Sequence, residues 1–200
     1  MAAERAAAVT TWHWVRHGPT HQNSFCGWRD VPADLSDHAR IARLNQALPP
    51  VALVVASDLI RASTTADTLS ATRRRLPDDP ALREFNFGDW EGMGFAEASA
   101  RDPDLSRAFW DGVGDAAPPG GESWNVLSAR VSARVATLSA AHPAGHIIAV
   151  AHLGVILTQV RIAANLTAHQ ALAHDIANLS ITELHLANGQ WQAVRINHLP

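Results

Sequence analysis

Strand-like and helix-like segments alternate along the chain, and this predicts an α/β fold. The expected form is a three-layer α/β/α sandwich with a mostly parallel central sheet. An antiparallel edge near the C-terminus and a helical and loop insertion over the site complete it. Three observations carry this reading. Val51–Ala56 is a short, continuous apolar run with the composition of a strand covered on both faces, and His146–Ala151 reads as another buried strand. Helix-period segments stand between and after them. Near the end, Asn188-Gly189 sits between two β-prone stretches, a strong hairpin signal.

The elements follow in order. Thr11–Val15 is β-prone and runs into a loop at Gly18-Pro19. From Leu35 to Leu48, Leu35, Ile41, Leu44 and Leu48 recur at helical spacing, with Asp34 or Ser36 as cap and Pro49-Pro50 as stop. Val51–Ala56 is the second strand, and Asp58–Leu69 is a helix capped by Ser57 or Asp58. Arg73-Arg74-Arg75 reads as a solvated helix end. The stretch 77–121 is rich in Asp, Gly and Pro and carries Phe85, Phe87, Trp90, Phe95, Phe109 and Trp110. It is expected to form short helices and loops, an insertion rather than a second domain. Glu122–Ala141 is an amphipathic helix with Val126, Leu127, Val131, Val135 and Leu138 inward. His146–Ala151 is the third strand, Leu153–Ala164 the helix after it, and Ser180–Leu186 with Trp191–Ile196 the terminal hairpin.

Composition narrows the function. The 200 residues, 47% of them hydrophobic, suffice for a single domain spanning 1–200. Charged residues are 18% and the net charge is -3, which suits neither a disordered chain nor a nucleic-acid binder. All 16 basic residues are Arg. Without Lys there is no Walker-type phosphate loop and no Schiff-base chemistry. Cys26 stands alone, so no internal disulfide and no Cys-rich zinc site is expected. Met1–Thr11 lacks a signal-peptide pattern, and 142–146 interrupts the apolar stretch 135–160 with turn residues. A cytoplasmic protein without membrane spans is the expectation.

In an open α/β sheet, ligands bind at the carboxyl ends of the strands. Arg16-His17-Gly18 follows the first strand, Ser57-Asp58 and then Arg61 the second, and His152 the third. Each residue has an ordinary structural reading when taken alone. Together, two Arg and two His at one edge form a site for a dianion, most simply a phosphoryl group. A neutral imidazole is a competent nucleophile there. The proton donor for the leaving oxygen is one of Glu84, Asp89 and Glu91, and pattern alone leaves the three open.

The residues resemble the histidine phosphatase superfamily, the phosphoglycerate mutase-like family, and within it the small broad-specificity phosphatase branch. Arg16-His17-Gly18 is similar to its defining motif, with Thr20 and Asn23 at the following spacing. Ser57–Ala62 with Thr65-Ala66, Phe87–Gly92, Pro118–Ser123 and Ala151–Val155 resemble later blocks, in family order, from about residue 12 to 196. The resemblance implies His17 as the phosphorylated nucleophile and Glu84 as the proton donor. Arg16, Arg61 and His152 would hold the phosphoryl group, with Asn23 at the rim and the Leu153 N–H as a further donor. Cys26 and Gly27 would line the entrance, Cys26 as a small filler. Glu91 is left with a capping or loop hydrogen-bonding role. The two Gly that usually follow the second His are Leu153-Gly154 here, and Leu153 crowds the approach.

The activity expected is metal-independent hydrolysis of a small-molecule phosphate monoester, without an organic cofactor and without nucleic-acid or membrane partners. The rival readings are a phosphoglycerate-type mutase and a non-catalytic phospho-ligand binding protein. A metal site is disfavoured, because His13 and His17, though four apart, fall on a strand and its loop.

Overall fold

The computed structural model describes residues 8–111 and 114–200. Met1–Ala7, and with them most of the N-terminal stretch read above, lie outside the described residues.

Six strands form one sheet. They are β1 (Val9–Arg16), β2 (Leu53–Ala56), β3 (Arg74–Arg75), β4 (His146–Ala151), β5 (Ile181–Ala187) and β6 (Gln190–His198), in the spatial order β3-β2-β4-β1-β5-β6. β1, β4, β2 and β3 run parallel; at the far side β5 is antiparallel to β1, and β6 in turn is antiparallel to β5. The helices are α1 (His38–Ala47), α2 (Ile60–Thr68), α3 (Phe95–Arg101), α4 (Pro103–Asp111), α5 (Trp124–Ala141), α6 (Leu153–Ala163) and α7 (Ala168–Leu172).

Alternation along the strands builds two cores. Trp12, Trp14, Ile147, Ala149 and Val55 pack with Leu127, Val131 and Val135 of α5 and Val155 and Ile156 of α6. Val15, Ile148, Val150 and Val54 face the other way, onto Ile41 and Leu44 of α1 and Ala62 and Ala66 of α2. With side-chain period two, a strand buried on both faces must be apolar throughout, as β4 is after its first residue. This is the three-layer sandwich expected from the sequence. The hairpin turn places Asn188 and Gly189 at φ of 51° and 75°, the left-handed pair that a two-residue turn between twisted strands needs.

Several boundaries differ from the sequence reading, each because a capping group is used elsewhere. Asp34 accepts from Ser36 N (2.9 Å) and pairs with His21, so α1 starts at His38 under Asp37, whose carboxylate accepts from Arg40 N. Leu35 therefore precedes the helix. Asp58 is a bidentate partner of Arg83 and caps nothing. Asp30 reaches in from another loop to accept from Ile60 N (2.6 Å). Glu122 is likewise bidentate with Arg130, and Ser123 caps α5 at Val126 N. Val126 is 53% exposed, not inward, because it lies about 100° off the stripe of Trp124, Leu127, Val131, Val135 and Leu138. Val51 is exposed and β2 starts at Leu53.

The arginine run is not a helix end. Arg74 and Arg75 form an edge strand on β2. Arg73 spends all its donors on neutral acceptors: Pro49 O, Leu48 O and Leu69 O, and the carbonyl and side chain of Asn45. It locks the end of α1 to the end of α2. Arg73→Ala should therefore lower the unfolding free energy by about 2 kcal/mol through unpaired carbonyls. The exposed Arg74→Ala should change it by less than about 0.5 kcal/mol. Urea unfolding of both variants checks this, and equal, small effects would contradict it.

Candidate active site

Register assembles the site. Arg16 pairs with Ala151, and Ala56 with Val150, so β1, β4 and β2 end level with one another. The first residues beyond them are His17, His152 and Ser57. Two further ladder bonds, His17 N to Ala151 O (3.0 Å) and Ser57 N to Val150 O (3.1 Å), fix where the side chains leave the sheet. Arg61 is the second residue of α2, and Glu84 comes from the loop that follows the short turn Pro80–Leu82. All of His17, Arg61, Glu84 and His152 are buried, and the His17 and His152 rings lie 5.0 Å apart between centroids.

His17 Nδ1 lies 2.7 Å from the carbonyl oxygen of its neighbour Gly18. A carbonyl only accepts, so Nδ1 carries the proton and Nε2 keeps its lone pair. Burial, then the charge of Arg61 and less that of Arg16, pushes the His17 pKa down to about 3. The ring is neutral at pH 7. His152 is fully buried, and its pKa is held well below the ordinary value by burial and then by His17, Arg61 and Arg16. Among the described residues neither of its ring nitrogens has a partner.

The guanidinium groups are held by neutral oxygens. Arg16 donates to Ile176 O (2.6 Å), while its Nε is buried without a partner among the described residues. Arg61 donates to the carbonyls of Cys26, Gly27 and Arg29. Glu84 is the carboxylate of the cluster. Its oxygens accept from Phe85 N (3.0 Å) and Gly154 N (3.1 Å). Burial raises its pKa, outweighing the lowering by those two bonds and by Arg61 and Arg16.

Of the three acidic candidates, only Glu84 joins this cluster. Asp89 is exposed and pairs with Arg101, and Glu91 accepts main-chain N–H groups of Gly27, Trp28 and Phe87. Cys26 is half-buried beside Arg61, and burial raises its thiol pKa. Asn23 is exposed in the loop after His17, and Leu153 opens α6 half-buried. His13 stands outside the cluster, hydrogen-bonded to His146 (3.1 Å) and lowered to about 4, chiefly by burial. Among the described residues, no three His, Cys, Asp or Glu side chains are grouped to hold a metal ion.

Sequence reasoning missed the supports. Asn178 Nδ2 donates to His17 O (2.7 Å) across 161 positions, a distance no local pattern reveals. Thr65 Oγ1 donates to Arg61 O and accepts from Gly18 N, tying the loop after β1 to α2. Gly154 is the residue the acid requires: a Cβ there would lie 2.4 Å from Glu84 Oε1 and 2.5 Å from the Phe85 ring. The tight position is thus 154, and Leu at 153 leaves it intact.

The match to a family model decides the affiliation: residues 13–199 fit the histidine phosphatase superfamily (branch 1). The chain belongs to the histidine phosphatase superfamily. A bifunctional protein of Mycobacterium tuberculosis is 35% identical over 162 residues, covering 80% of this chain but 42% of its own length. The chain thus spans less than half of the mycobacterial relatives it matches. The adenosylcobalamin/alpha-ribazole phosphatase of Escherichia coli is 29% identical over 92% of this chain and 88% of its own. Matched relatives also include 2,3-bisphosphoglycerate-dependent phosphoglycerate mutases. Among solved structures, a mycobacterial glucosyl-3-phosphoglycerate phosphatase in complex with VO3 superposes with a TM-score of 0.79. It is 28% identical, with 94% of this chain and 98% of that one covered. The superfamily membership supports an enzyme acting on phosphate. No described helix is long and apolar enough to cross a membrane.

The neutral imidazoles predict an acid-labile fold. Unfolded, each His takes up a proton near pH 6.5; folded, His17, His152 and His13 do so only well below that. The unfolded state therefore binds more protons below pH 6.5, and stability falls by up to roughly 1.4 kcal/mol per pH unit for each such group. Glu84, with its raised pKa, acts in the opposite sense, one group against three. The urea midpoint should drop clearly from pH 7 to pH 5; a protein equally stable at both would contradict the assignment.

Proposed function

We propose that the chain is a phosphomonoester hydrolase working through a phosphohistidine on His17. The observation that carries this reading is the His17 Nδ1–H bond to Gly18 O, which leaves a neutral Nε2 lone pair among Arg16, Arg61 and His152. Two permanent cations and two neutral imidazoles suit a phosphoryl dianion, whose equatorial oxygens carry the charge of a loose transition state.

Nε2 attacks phosphorus in line while the P–O bond to the alcohol breaks, and protonated Glu84 gives its proton to the leaving oxygen. Phosphohistidine and Glu84 carboxylate remain. Glu84 then takes a proton from water as its oxygen attacks phosphorus, the P–N bond breaks, and phosphate leaves with Nε2 restored. A dianion in the site offsets the Arg charges that hold the Glu84 pKa down, so binding itself favours the acid form. No metal or organic cofactor enters these steps, and the substrate is a small phosphate monoester. The segment 77–121, which brings Glu84, would cover the bound ester. Hydrolysis is favoured over mutase action by coverage: the Escherichia coli phosphatase matches 92% of this chain and the mutase 58%.

His17→Ala should abolish turnover of p-nitrophenyl phosphate and the acid-labile phosphate recovered from quenched enzyme. Persisting label in that variant would contradict the role. Nitrophenolate leaves readily without a proton, so Glu84→Gln should slow an alkyl ester such as β-glycerophosphate about 10²-fold or more and the nitrophenyl ester less. Phosphoenzyme should then accumulate, since Gln cannot take the proton from water.

The pH profile gives an independent check. For the alkyl ester, kcat/KM should fall on the alkaline side as Glu84 loses its proton, with the limb above the ordinary carboxyl pKa because burial raises it. Glu84→Gln should remove that limb. An unchanged limb would assign the acid role to another group.

A further inference from the structure

Among the described residues no carboxylate pairs directly with the buried Arg61: three main-chain carbonyls hold it. Two of them belong to peptide groups whose N–H ends meet Glu91. The Cys26–Gly27 peptide donates from Gly27 N to Glu91 Oε2 (3.0 Å) and accepts from Arg61 Nη2 at Cys26 O (3.2 Å). The Gly27–Trp28 peptide donates from Trp28 N to Glu91 Oε1 (2.6 Å) and accepts from Arg61 Nη2 at Gly27 O (2.6 Å). Two consecutive peptide dipoles therefore lie side by side, each with its N–H end on the anion and its carbonyl on the cation.

From this geometry we infer that Glu91 is the counter-charge of Arg61, relayed through two peptide groups, and that it positions the guanidinium for the phosphoryl group. The inference rests on the phosphatase reading of the site. A carboxylate accepting a peptide N–H polarises that peptide and makes its carbonyl a stronger acceptor, and such chains are cooperative at low dielectric. The arrangement also solves a problem of donors. A direct carboxylate partner would take the planar fork of Arg61 bidentately. The carbonyls of Cys26, Gly27 and Arg29 take three of its five N–H groups, leaving Nε–H and one Nη1–H for phosphoryl oxygens. Gly27 must be glycine for the relay to close: a Cβ there would stand 2.0 Å from Phe85 O and 2.4 Å from Glu91 Oε1. The same segment reaches the acid, because the Trp28 indole donates to Glu84 O (2.9 Å).

The test is a double-mutant cycle read by inorganic phosphate binding, measured by titration calorimetry, which needs no turnover. Glu91→Gln keeps the volume and one acceptor but removes the charge. It should weaken phosphate binding at least 10-fold and lower kcat/KM similarly. In an Arg61→Ala background the same substitution should change phosphate binding less than 2-fold, because its target is gone. Glu91→Ala should show a larger effect with the same coupling; if that variant fails to fold, Glu91→Gln alone completes the cycle. Phosphate binding that Glu91→Gln leaves unchanged, or that falls equally with and without Arg61, overturns the inference. Failure of the phosphatase reading looks different: the wild type would then turn over no ester, while the phosphate cycle would still decide the role of Glu91.

Discussion

Two imidazoles and two guanidinium groups share one end of the sheet with the Glu84 carboxyl, and burying four positive charges together would oppose folding. The imidazoles must stay neutral, and this constraint shapes everything around them. Desolvation and the neighbouring arginines keep His17 and His152 unprotonated, while Arg16 and Arg61, which cannot lose their protons, are solvated by backbone carbonyls. The result is a net positive pocket whose histidines retain lone pairs. A dianion matches that charge. The pocket's charge and the free Nε2 of His17 thus come from one arrangement rather than two.

The scaffold supplies the precision. Three parallel strands that end level deliver His17, His152 and Ser57 side by side without help from loops. Distant hydrogen bonds then trim the strand ends: Asn178 holds the His17 carbonyl, and Thr65 joins Gly18 to Arg61. On the other side, Arg130 of α5 donates to the carbonyls of Ala81, Arg83 and Glu84 and pairs with Glu122, so the acid's main chain is clamped from the long helix. Side chains that look like ordinary surface charges in sequence are thereby part of how the acid is aimed.

The central strands were legible because burial on both faces forces apolar composition, and β4 carries that mark in the five residues after His146. The strand-end residues were legible because topology, not detailed packing, puts them together. Helix starts were less so. Asp34 and Asp58 have the chemistry of caps, but Asp34 pairs with His21 and Asp58 with Arg83, while Glu122 is engaged by Arg130 and by Asn86 N, so Ser123 caps α5 instead. The arginine run failed for a similar reason: five neutral acceptors around Arg73 come from α1, its following loop and α2, and composition does not announce them. Choosing Glu84 over Asp89 and Glu91 needed the family resemblance, since all three sit within eight residues and pattern does not say which one turns inward. The burial of Glu84 against Gly154 places only that one in the cluster.

The protonation state of His17 is the central claim, and it can be observed without substrate. Side-chain ¹⁵N–¹H correlation spectra of histidine-labelled protein, assigned by His17→Gln, report tautomer and charge directly. The account predicts a neutral His17 ring with the proton on Nδ1 from pH 8 down to pH 5. A proton on Nε2, or an imidazolium already present at pH 6, would remove the free lone pair and contradict the account.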